Sequence, residues 1–377
     1  LGEGSFSSPT KGKDAMARIT AARAYLVDIP VETPRTDAVQ AFLKQETLFV
    51  HVSTDDGLEG VGYSYTIGTG GTAVLALLRD YLLDQLIGLD ADRIEHVWNQ
   101  VYYSTRATTT GAITSLAVAA IDTALWDLRG QKTGMPLWKL AGGSDSQVPL
   151  YDTEGGWLHI TTEDLVAGAV KSKEKGWPGV KLKIGKPDPL EDVDRLQAVR
   201  EAVGPGMHIM VDANQSMTLA QAVQRSQMLE SVGLFWLEEP MPADYVAEHG
   251  KLAEKTTIPI AVGESIYSAA VFQQYLQRGG AGIVQVDVAR VGGITPWLKV
   301  AHLAETYNVS VCPHFLMELH VSLAAAVPNG HYVEHIPQLT AVTTGGLRID
   351  NGFAQAPDAP GLGIPWDFEA IERMVVA

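Results

Sequence analysis

The sequence predicts an α/β protein: a (β/α)7β TIM-type barrel, preceded by an α+β N-terminal capping domain that the C-terminal tail completes. Two observations predict this architecture. The first third of the chain places strands before helices, which is typical of a self-contained α+β domain. The middle of the chain alternates short apolar strands with helices, which requires parallel strands and right-handed crossovers. A length of 377 residues accommodates both parts.

The capping domain is expected over residues 16–146. Alternation of apolar and polar residues predicts three strands, at 19–30, 47–54 and 59–66. A turn at 55–57 joins the last two strands as a hairpin. Helical periodicity then predicts helices at 73–88 and 115–134. Gly134 and Pro136 mark the end of the second helix.

The barrel is expected over residues 147–340. Eight apolar segments are interpreted as its strands, at 151–156, 179–185, 208–214, 234–240, 259–265, 283–290, 309–315 and 331–337. Helix starts are predicted at Asp188-Pro189, Thr218 and Thr295-Pro296, because such residues cap helices or open their first turn. The tail, 341–377, breaks the alternation and is expected to pack back on the capping domain.

Composition and charge exclude several classes of protein. The net charge of −16 argues against a nucleic-acid partner, which would need a basic face. We find no run of 18 apolar residues and no signal-peptide pattern, so no membrane partner is expected. Cys312 is the only cysteine, which excludes an internal disulfide. A soluble, cytoplasmic protein is expected.

Polar side chains end almost every predicted barrel strand. Because the carboxyl ends of parallel barrel strands share one cavity, these residues are expected to lie together. They are Lys181, Lys183, Asp212, Asn214, Glu238, Glu239, Glu264, Asp287, Arg290, His314 and Glu334. One such residue would mean little, but seven successive strands make chance an unsatisfactory explanation.

Three of these residues predict a metal site. Asp212, Glu238 and Glu264 are separated by 26 residues each, one strand–helix unit, so their carboxylates converge. Converging carboxylates repel unless a cation lies among them, and oxygen ligands favour Mg²⁺. The alternative is that each is a helix cap or an ion-pair partner. Since Glu238 and Glu239 are adjacent on one strand, only one of them is expected to bind the metal.

The same strand ends predict two acid/base groups. Lys181 and Lys183 share the inner face of their strand, and two adjacent ammonium groups near a divalent cation favour loss of a proton from one of them, which can then act as a general base. His314 and Asp287 end neighbouring strands and are expected to pair, with the carboxylate orienting the imidazole. The alternatives are solvated lysines on a surface strand and a structural histidine.

These segments resemble a known family. The motifs KLKIG, VDANQ, WLEEP, GES, VDVARVGGIT, PHFLMELH and VEH, over residues 17–377, are similar to the enolase superfamily, in its mandelate racemase subgroup. The resemblance implies Asp212, Glu238 and Glu264 as Mg²⁺ ligands. It further implies Lys183 as the base on one face of the substrate and His314 with Asp287 on the other.

The resemblance also implies supporting roles. Lys181 and Glu334 would stabilise the substrate carboxylate and its enediolate, and Asn214 and Arg290 would contact the substrate. At a finer level the sequence resembles acid-sugar dehydratases of the L-talarate/galactarate type, so a small carboxylate substrate and a homo-oligomer are expected. Segments 30–46 and 63–71 are expected to set specificity at the barrel mouth.

The implied reaction is removal of the proton next to a carboxylate, followed by dehydration of a hexarate, such as galactarate or talarate, to a 2-keto-3-deoxy acid. The alternative is a racemase or epimerase without elimination. A catalytically inactive barrel that only binds an acidic ligand and a structural protein are weaker alternatives, because no acid/base residue is missing.

Overall fold

The structure, a computed structural model, describes residues 17–108 and 111–377, so the expected start at Met16 lies outside the described residues. The capping domain is built on a three-stranded antiparallel sheet of order β1-β4-β5. Its strands are β1 (Ile19–Ile29), β2 (Arg35–Thr36), β3 (Ala41–Phe42), β4 (Gln45–Thr54) and β5 (Glu59–Thr66). Its helices are α1 (Gly71–Leu77), α2 (Ile94–Ser104), α3 (Ala112–Thr133) and α4 (Leu137–Leu140), with a short 3₁₀ turn at Arg106–Thr108. The expected hairpin joins β4 to β5.

Helix α3 packs unusually close to strand β5. A Cβ atom on Gly62 would lie 2.1 Å from the carbonyl oxygen of Ala120, and one on Gly60 would lie 2.3 Å from that of Ala124. Both glycines therefore allow an approach that no other residue would permit. The helix ends where expected, with Gly134 in the left-handed conformation at φ 68°.

The helix predicted at 73–88 is not continuous. After α1 the chain forms a π-helical turn, Leu78–Leu82, and a 3₁₀ turn, Leu83–Leu86. The four leucines at the ends of these turns are all buried. Leu82 and Leu83 lie where the π-helical turn meets the 3₁₀ turn.

The barrel contains eight parallel strands and seven helices, which confirms the (β/α)7β fold. The strands are β6 (Gln147–Asp152), β7 (Gly179–Lys183), β8 (His208–Asp212), β9 (Trp236–Glu238), β10 (Ile260–Val262), β11 (Ile283–Val284), β12 (Ser310–Val311) and β13 (Val333–His335). The helices are α5 (Thr162–Glu174), α6 (Pro189–Val203), α7 (Leu219–Leu229), α8 (Val246–Ala253), α9 (Ala269–Gln277), α10 (Ile294–Thr306) and α11 (Met317–Ala326), with a 3₁₀ turn at Glu230–Val232. Strand β13 pairs with β6, and Val311 bridges Gly330, so the ring closes.

The predicted helix starts are right in two cases and wrong in one. The side chains of Asp188 and Thr218 cap α6 and α7. Helix α10 instead begins at Ile294 after Gly293, and Thr295 lies inside its first turn. The Thr295 hydroxyl donates a hydrogen bond to Asp122 Oδ1 of α3 at 2.6 Å. Thr295 therefore joins the barrel to the capping domain and does not cap its own helix.

The tail contacts both domains, so the expectation that it packs on the capping domain holds for its second part only. Strands β14 (Arg348–Asp350) and β15 (Phe353–Gln355) form a hairpin that pairs with β6 of the barrel. The chain then crosses to the capping domain, where Trp366 contacts the ring of Phe49. A 3₁₀ turn, Thr340–Val342, precedes the hairpin, and helix α12 (Phe368–Arg373) follows it. No helix in the described part of the chain is long and apolar enough to cross a membrane.

Candidate active site

Three carboxylates from neighbouring strands converge in the barrel. Asp212 ends β8, Glu238 ends β9, and Glu264 follows β10. All three are buried, and one oxygen from each lies within 4.8 Å of the others. Burial and then the charge of Asp212 raise the pKa of Glu238 to about 7. The group fits a hard divalent cation, because its donors are all carboxylate oxygens.

The carboxylates around this group outnumber the basic side chains, which favours the binding of such a cation. Six carboxylates lie together at the strand ends, those of Asp212, Glu238, Glu239, Glu264, Asp287 and Glu334. Three basic side chains lie among them, those of Lys181, Lys183 and Arg290, and, against the effect of burial, the nearby anionic groups raise the pKa of each. Buried charges that are not paired are costly, so a divalent cation would bring the cluster close to neutrality.

The two adjacent glutamates have different surroundings. Glu238 Oε2 accepts hydrogen bonds from Trp236 Nε1 at 3.0 Å and Gln285 Nε2 at 2.7 Å, which fixes its carboxylate. Glu239 has a positive φ of 36°, and the hydrogen-bonding side chain next to its carboxylate is that of Ser265. Burial, Glu264 and Asp212 raise the pKa of Glu239 well above its usual range. The converging group therefore includes Glu238 and leaves Glu239 at its edge.

Both lysines of β7 point into the site, and each contacts a carboxylate. Lys183 Nζ lies 2.5 Å from Asp212 Oδ2, while Lys181 Nζ lies 2.9 Å from Glu238 Oε1 and 2.7 Å from Glu334 Oε1. Burial lowers both lysine pKa values, but the contacting carboxylates outweigh it and raise them. The expected lowering of a lysine pKa assumed a nearby divalent cation, and the contacting carboxylates by themselves act in the opposite direction.

Glu334 is fixed by three donors. Besides Lys181, Thr153 Oγ1 donates to its Oε1 at 2.7 Å and the backbone N–H of Phe315 donates to its Oε2 at 2.9 Å. Burial would raise the pKa of Glu334, but Lys181, His314 and the backbone N–H of Phe315 hold it well below the usual range. Glu334 therefore remains an anion that holds Lys181 in place.

The predicted His–Asp pair forms. His314 Nδ1 lies 2.9 Å from Asp287 Oδ2. Burial raises the pKa of Asp287, but His314 outweighs it and lowers the value to about 2. An ionised carboxylate only accepts hydrogen bonds, so Nδ1 of His314 carries the proton. Burial lowers the pKa of His314, while Glu264 and Asp287 together raise it above its usual value.

The capping domain contributes a residue to this pair that the sequence did not indicate. The hydroxyl of Tyr65, on β5, donates to Asp287 Oδ2 at 2.7 Å, and its ring stacks 4.5 Å from Phe315. Thr153, Trp236 and Gln285 were missed in the same way. The one available signal was a polar atom on an otherwise apolar strand, which is too common to select these residues.

The two predicted substrate-binding residues, Asn214 and Arg290, differ in whether their polar atoms already have partners in the protein. Asn214 lines the cavity, and its side-chain oxygen has no hydrogen-bond partner within the described residues. Arg290 lines the cavity too, but it donates to the backbone oxygen of Glu264 at 3.0 Å and lies 3.6 Å from Glu264 Oε1. The guanidinium of Arg290 is therefore already engaged.

A cavity of about 310 Å³ opens above these groups. Part of its wall comes from the capping domain, through the β2–β3 hairpin of residues 35–42, called the flap below. The tip of the flap lies over the end of β7, because a Cβ atom on Gly185 would lie 2.7 Å from that of Ala38. The structure thus places residues from both expected specificity segments, 30–46 and 63–71, in the cavity wall.

Sequence comparison agrees with this geometry. Residues 20–142 match the family described as mandelate racemase / muconate lactonizing enzyme, N-terminal domain, and residues 164–371 match the enolase C-terminal domain-like family. The chain belongs to the mandelate racemase/muconate lactonizing enzyme family of the enolase superfamily.

Several members of this family are similar over nearly the whole chain. L-talarate/galactarate dehydratase of Salmonella typhimurium is 35% identical over 352 residues, covering 92% of this chain and 88% of the relative. A 3,6-anhydro-alpha-L-galactonate cycloisomerase of Streptomyces coelicolor is 35% identical over 356 residues, covering 94% and 98%. The solved structure of the Salmonella enzyme with Mg and L-lyxarohydroxamate has a TM-score of 0.92 at 32% identity, covering 100% of this chain and 97% of that one.

Proposed function

We propose that this family member is a Mg²⁺-dependent acid-sugar dehydratase. The observation that carries the proposal is that Lys183 and His314 lie in one cavity, on β7 and after β12, with the three converging carboxylates between those strands. Solved relatives from Salmonella typhimurium and Polaromonas that act on L-talarate contain Mg with an acid-sugar ligand or analogue. Asp212, Glu238 and Glu264 would hold the cation in this chain.

The chemical difficulty is the weak acidity of a C–H bond beside an ionised carboxylate, since its removal puts a second negative charge on that carboxylate. Bound Mg²⁺ would offset this charge and the charge of Asp212, which favours the neutral form of Lys183. Lys181, held by Glu334, lies where it would donate to the same carboxylate as the charge develops. Glu334 itself is the anchor of that lysine.

Lys183 would take the proton from one face of the α-carbon, leaving the electron pair in an enediolate. His314, oriented by Asp287, would then donate a proton to the β-hydroxyl as the C–O bond breaks. The enediolate electrons form the new C=C bond, and water leaves. The resulting enol becomes a 2-keto-3-deoxy acid by tautomerisation, so atoms and charge balance. Asn214 and Arg290 would contact the hydroxyl groups of the substrate.

The second candidate is a racemase or epimerase, because the same two bases on opposite faces would also return a proton with inversion. The two reactions separate in D₂O. A dehydratase yields keto acid, and its His314→Asn variant still exchanges the α-proton through Lys183 but forms little keto acid. An epimerase yields the inverted acid with deuterium at the α-carbon and no keto acid.

The decisive measurement is keto acid formation from a panel of acid sugars, with chelator and with Mg²⁺ restored. Activity that is lost with chelator and returns with Mg²⁺ supports the proposal. Epimer formation without keto acid across the whole panel would reject dehydration. Lys183→Ala should stop exchange on one face only, and equal loss on both faces would contradict the assignment of two independent bases.

The proposal extends to the domain boundaries, the oligomeric state and the cellular location of the protein. We place the domain boundaries at 16–146, 147–340 and 341–377, which limited proteolysis would test. We also propose a homo-oligomer in the cytoplasm. Light scattering of the purified protein would test the oligomeric state, and fractionation of the source cells would test the location.

A further inference from the structure

We infer that the substrate has a single carboxylate: the cavity takes a monocarboxylic sugar acid of the aldonate type, whose far end is a hydroxyl group and not a second acid. The inference rests on the proposed function and narrows its substrate class. It departs from the hexarate that the sequence suggested, because a hexarate carries a carboxylate at both ends.

The orientation of the substrate follows from the floor of the barrel. Below the site the barrel is filled by buried side chains from its strands, including Tyr151, Met210 and Trp236. A substrate whose acid end lies at Lys181 and the three converging carboxylates cannot extend downwards. The remaining carbons must extend towards the mouth, where the flap and Ile67 of the capping domain form the wall.

The cations that line the cavity all lie at the acid end, and each is already paired. Lys181 contacts Glu238 and Glu334, Lys183 contacts Asp212, and Arg290 contacts Glu264. His314 lies at the same level, between Asp287 and Glu264. These groups account for the first carboxylate and leave no excess positive charge for a second one.

The far wall offers no cation among the residues that the structure describes. Its members are one carboxylate, one amide and three apolar side chains, those of Asp37, Gln40, Val39, Phe42 and Ile67. Asp37 Oδ1 accepts hydrogen bonds from the backbone N–H groups of Val39 and Gln40. Its Oδ2 accepts none from the described residues, so this oxygen is free to accept one from a substrate hydroxyl.

The two cations that flank the flap point away from the cavity. Arg35 pairs with Glu154 at 2.7 Å and donates to the backbone oxygen of Pro337 at 2.8 Å. Lys44 lies 3.1 Å from Glu46 and 3.5 Å from Asp28. Each would have to break a carboxylate contact before it could serve a second substrate carboxylate.

The physical consequence is discrimination at the far end. A carboxylate there would lose water and meet the like charge of Asp37, while Lys183, whose charge reaches Asp37, already contacts Asp212. Both effects are costly in a partly buried site. A hydroxyl meets an acceptor in Asp37 and a donor and acceptor in Gln40. A site with such hydrogen-bonding groups discriminates strongly between a hydroxyl and a group that cannot make the same bonds.

The test compares acids that differ only at the far carbon, such as galactonate with galactarate, over all configurations and with Mg²⁺ present. We expect kcat/KM for keto acid formation to favour the monoacid of the reactive configuration, on the order of 100-fold. A diacid that reacts as well as its monoacid would overturn the inference and leave acid-sugar dehydration intact. If no acid in the panel forms keto acid or exchanges its α-proton in D₂O, the proposed function fails and the inference with it.

Variants of the flap provide a second test. Val39→Lys places a cation in the far wall, and Asp37→Asn removes the negative charge while keeping the oxygen that accepts from Val39 and Gln40. Both should lower the preference for the monoacid by about 10-fold, mainly through KM for the diacid. Leu43→Lys is the matched control, because Leu43 is 86% exposed and does not line the cavity. An unchanged preference in both flap variants would refute the role of the far wall.

Discussion

Replacing Tyr65 by phenylalanine should impair one of the two proposed proton-transfer groups, His314, and spare the other, Lys183. The Tyr65 hydroxyl donates to Asp287 Oδ2, the oxygen that also contacts His314 Nδ1. Tyr65→Phe removes this donor and little else, because the ring and its stacking on Phe315 remain. Asp287 then holds the His314 imidazole less firmly, while Lys183 on the far side of the site keeps all its contacts.

The expected size of the effect follows from the bonds that remain. A hydrogen bond to a charged group contributes about 1.5–3 kcal/mol, equivalent to about 10- to 150-fold in rate. Asp287 would still accept from His314 and from the backbone N–H groups of Ala289 and Arg290. We therefore expect a loss near the lower limit, about 10-fold, in the steps that depend on His314.

The assay is α-proton exchange in D₂O, followed by NMR for the two configurations separately, together with keto acid formation. Exchange through His314 and keto acid formation should fall, and exchange through Lys183 should stay within about 2-fold of wild type, since ordinary substitutions away from a group have small effects on it. Tyr63→Phe is a matched control, because Tyr63 is buried on the same strand and its hydroxyl has no partner within the described residues. Equal losses in both exchange reactions, or the same loss in the control, would refute the argument.

Three further predictions address the metal, the pH dependence and the packing. Glu238→Gln should weaken Mg²⁺ binding, measured by calorimetry, by more than about 100-fold, and Glu239→Gln by about 10-fold at most. The reverse order would show that Glu239, and not Glu238, is the metal ligand. Burial lowers the pKa of His320 to about 4 in the folded protein, whereas the same imidazole binds a proton near pH 6.5 in the unfolded chain. The free energy of unfolding should therefore fall by up to about 3 kcal/mol as the pH drops from about 6.5 to about 4. Urea unfolding at pH 7.5 and 5.0 should show a smaller fall in His320→Asn, and an equal fall would contradict this. Gly62→Ala should cost about 3 kcal/mol by pushing β5 from α3, whereas Gly206→Ala, where a Cβ atom meets nothing within 4 Å, should cost little; similar unfolding midpoints for the two variants would contradict this.

The sequence allowed predictions where a single structural rule, such as the alignment of parallel strands, applies to several residues at once. Parallel strands align their carboxyl ends, so Asp212, Glu238 and Glu264 could be placed together from spacing alone. His314 and Asp287 followed from the same rule. The fold was predictable for a similar reason, since strand and helix alternation leaves few possible topologies.

Contacts between distant segments were not predictable in this way. Tyr65 contacts Asp287 although 222 positions separate them in the sequence, and no local sequence pattern predicts that contact. The pKa of Lys183 depends on a distance to Asp212 that only the folded chain defines. Thr295 has the local features of a helix cap, yet Asp122 of the capping domain binds its side chain and the helix starts two residues earlier than predicted, at Ile294. In each case tertiary packing overrides a local preference.

The flap is anchored at its base and largely self-supporting at its tip. Arg35 at the base is tied to Glu154 and Pro337, whereas the turn over residues 37–40 is held by the hydrogen bonds that Asp37 accepts from its own neighbours. Changes at Val39 and Gln40 would therefore disturb the barrel less than changes at Ala38, which lies against Gly185. Such an arrangement makes substrate preference evolvable at low cost in stability. A library confined to residues 37–40 is accordingly the economical starting point for redirecting this enzyme to other sugar acids.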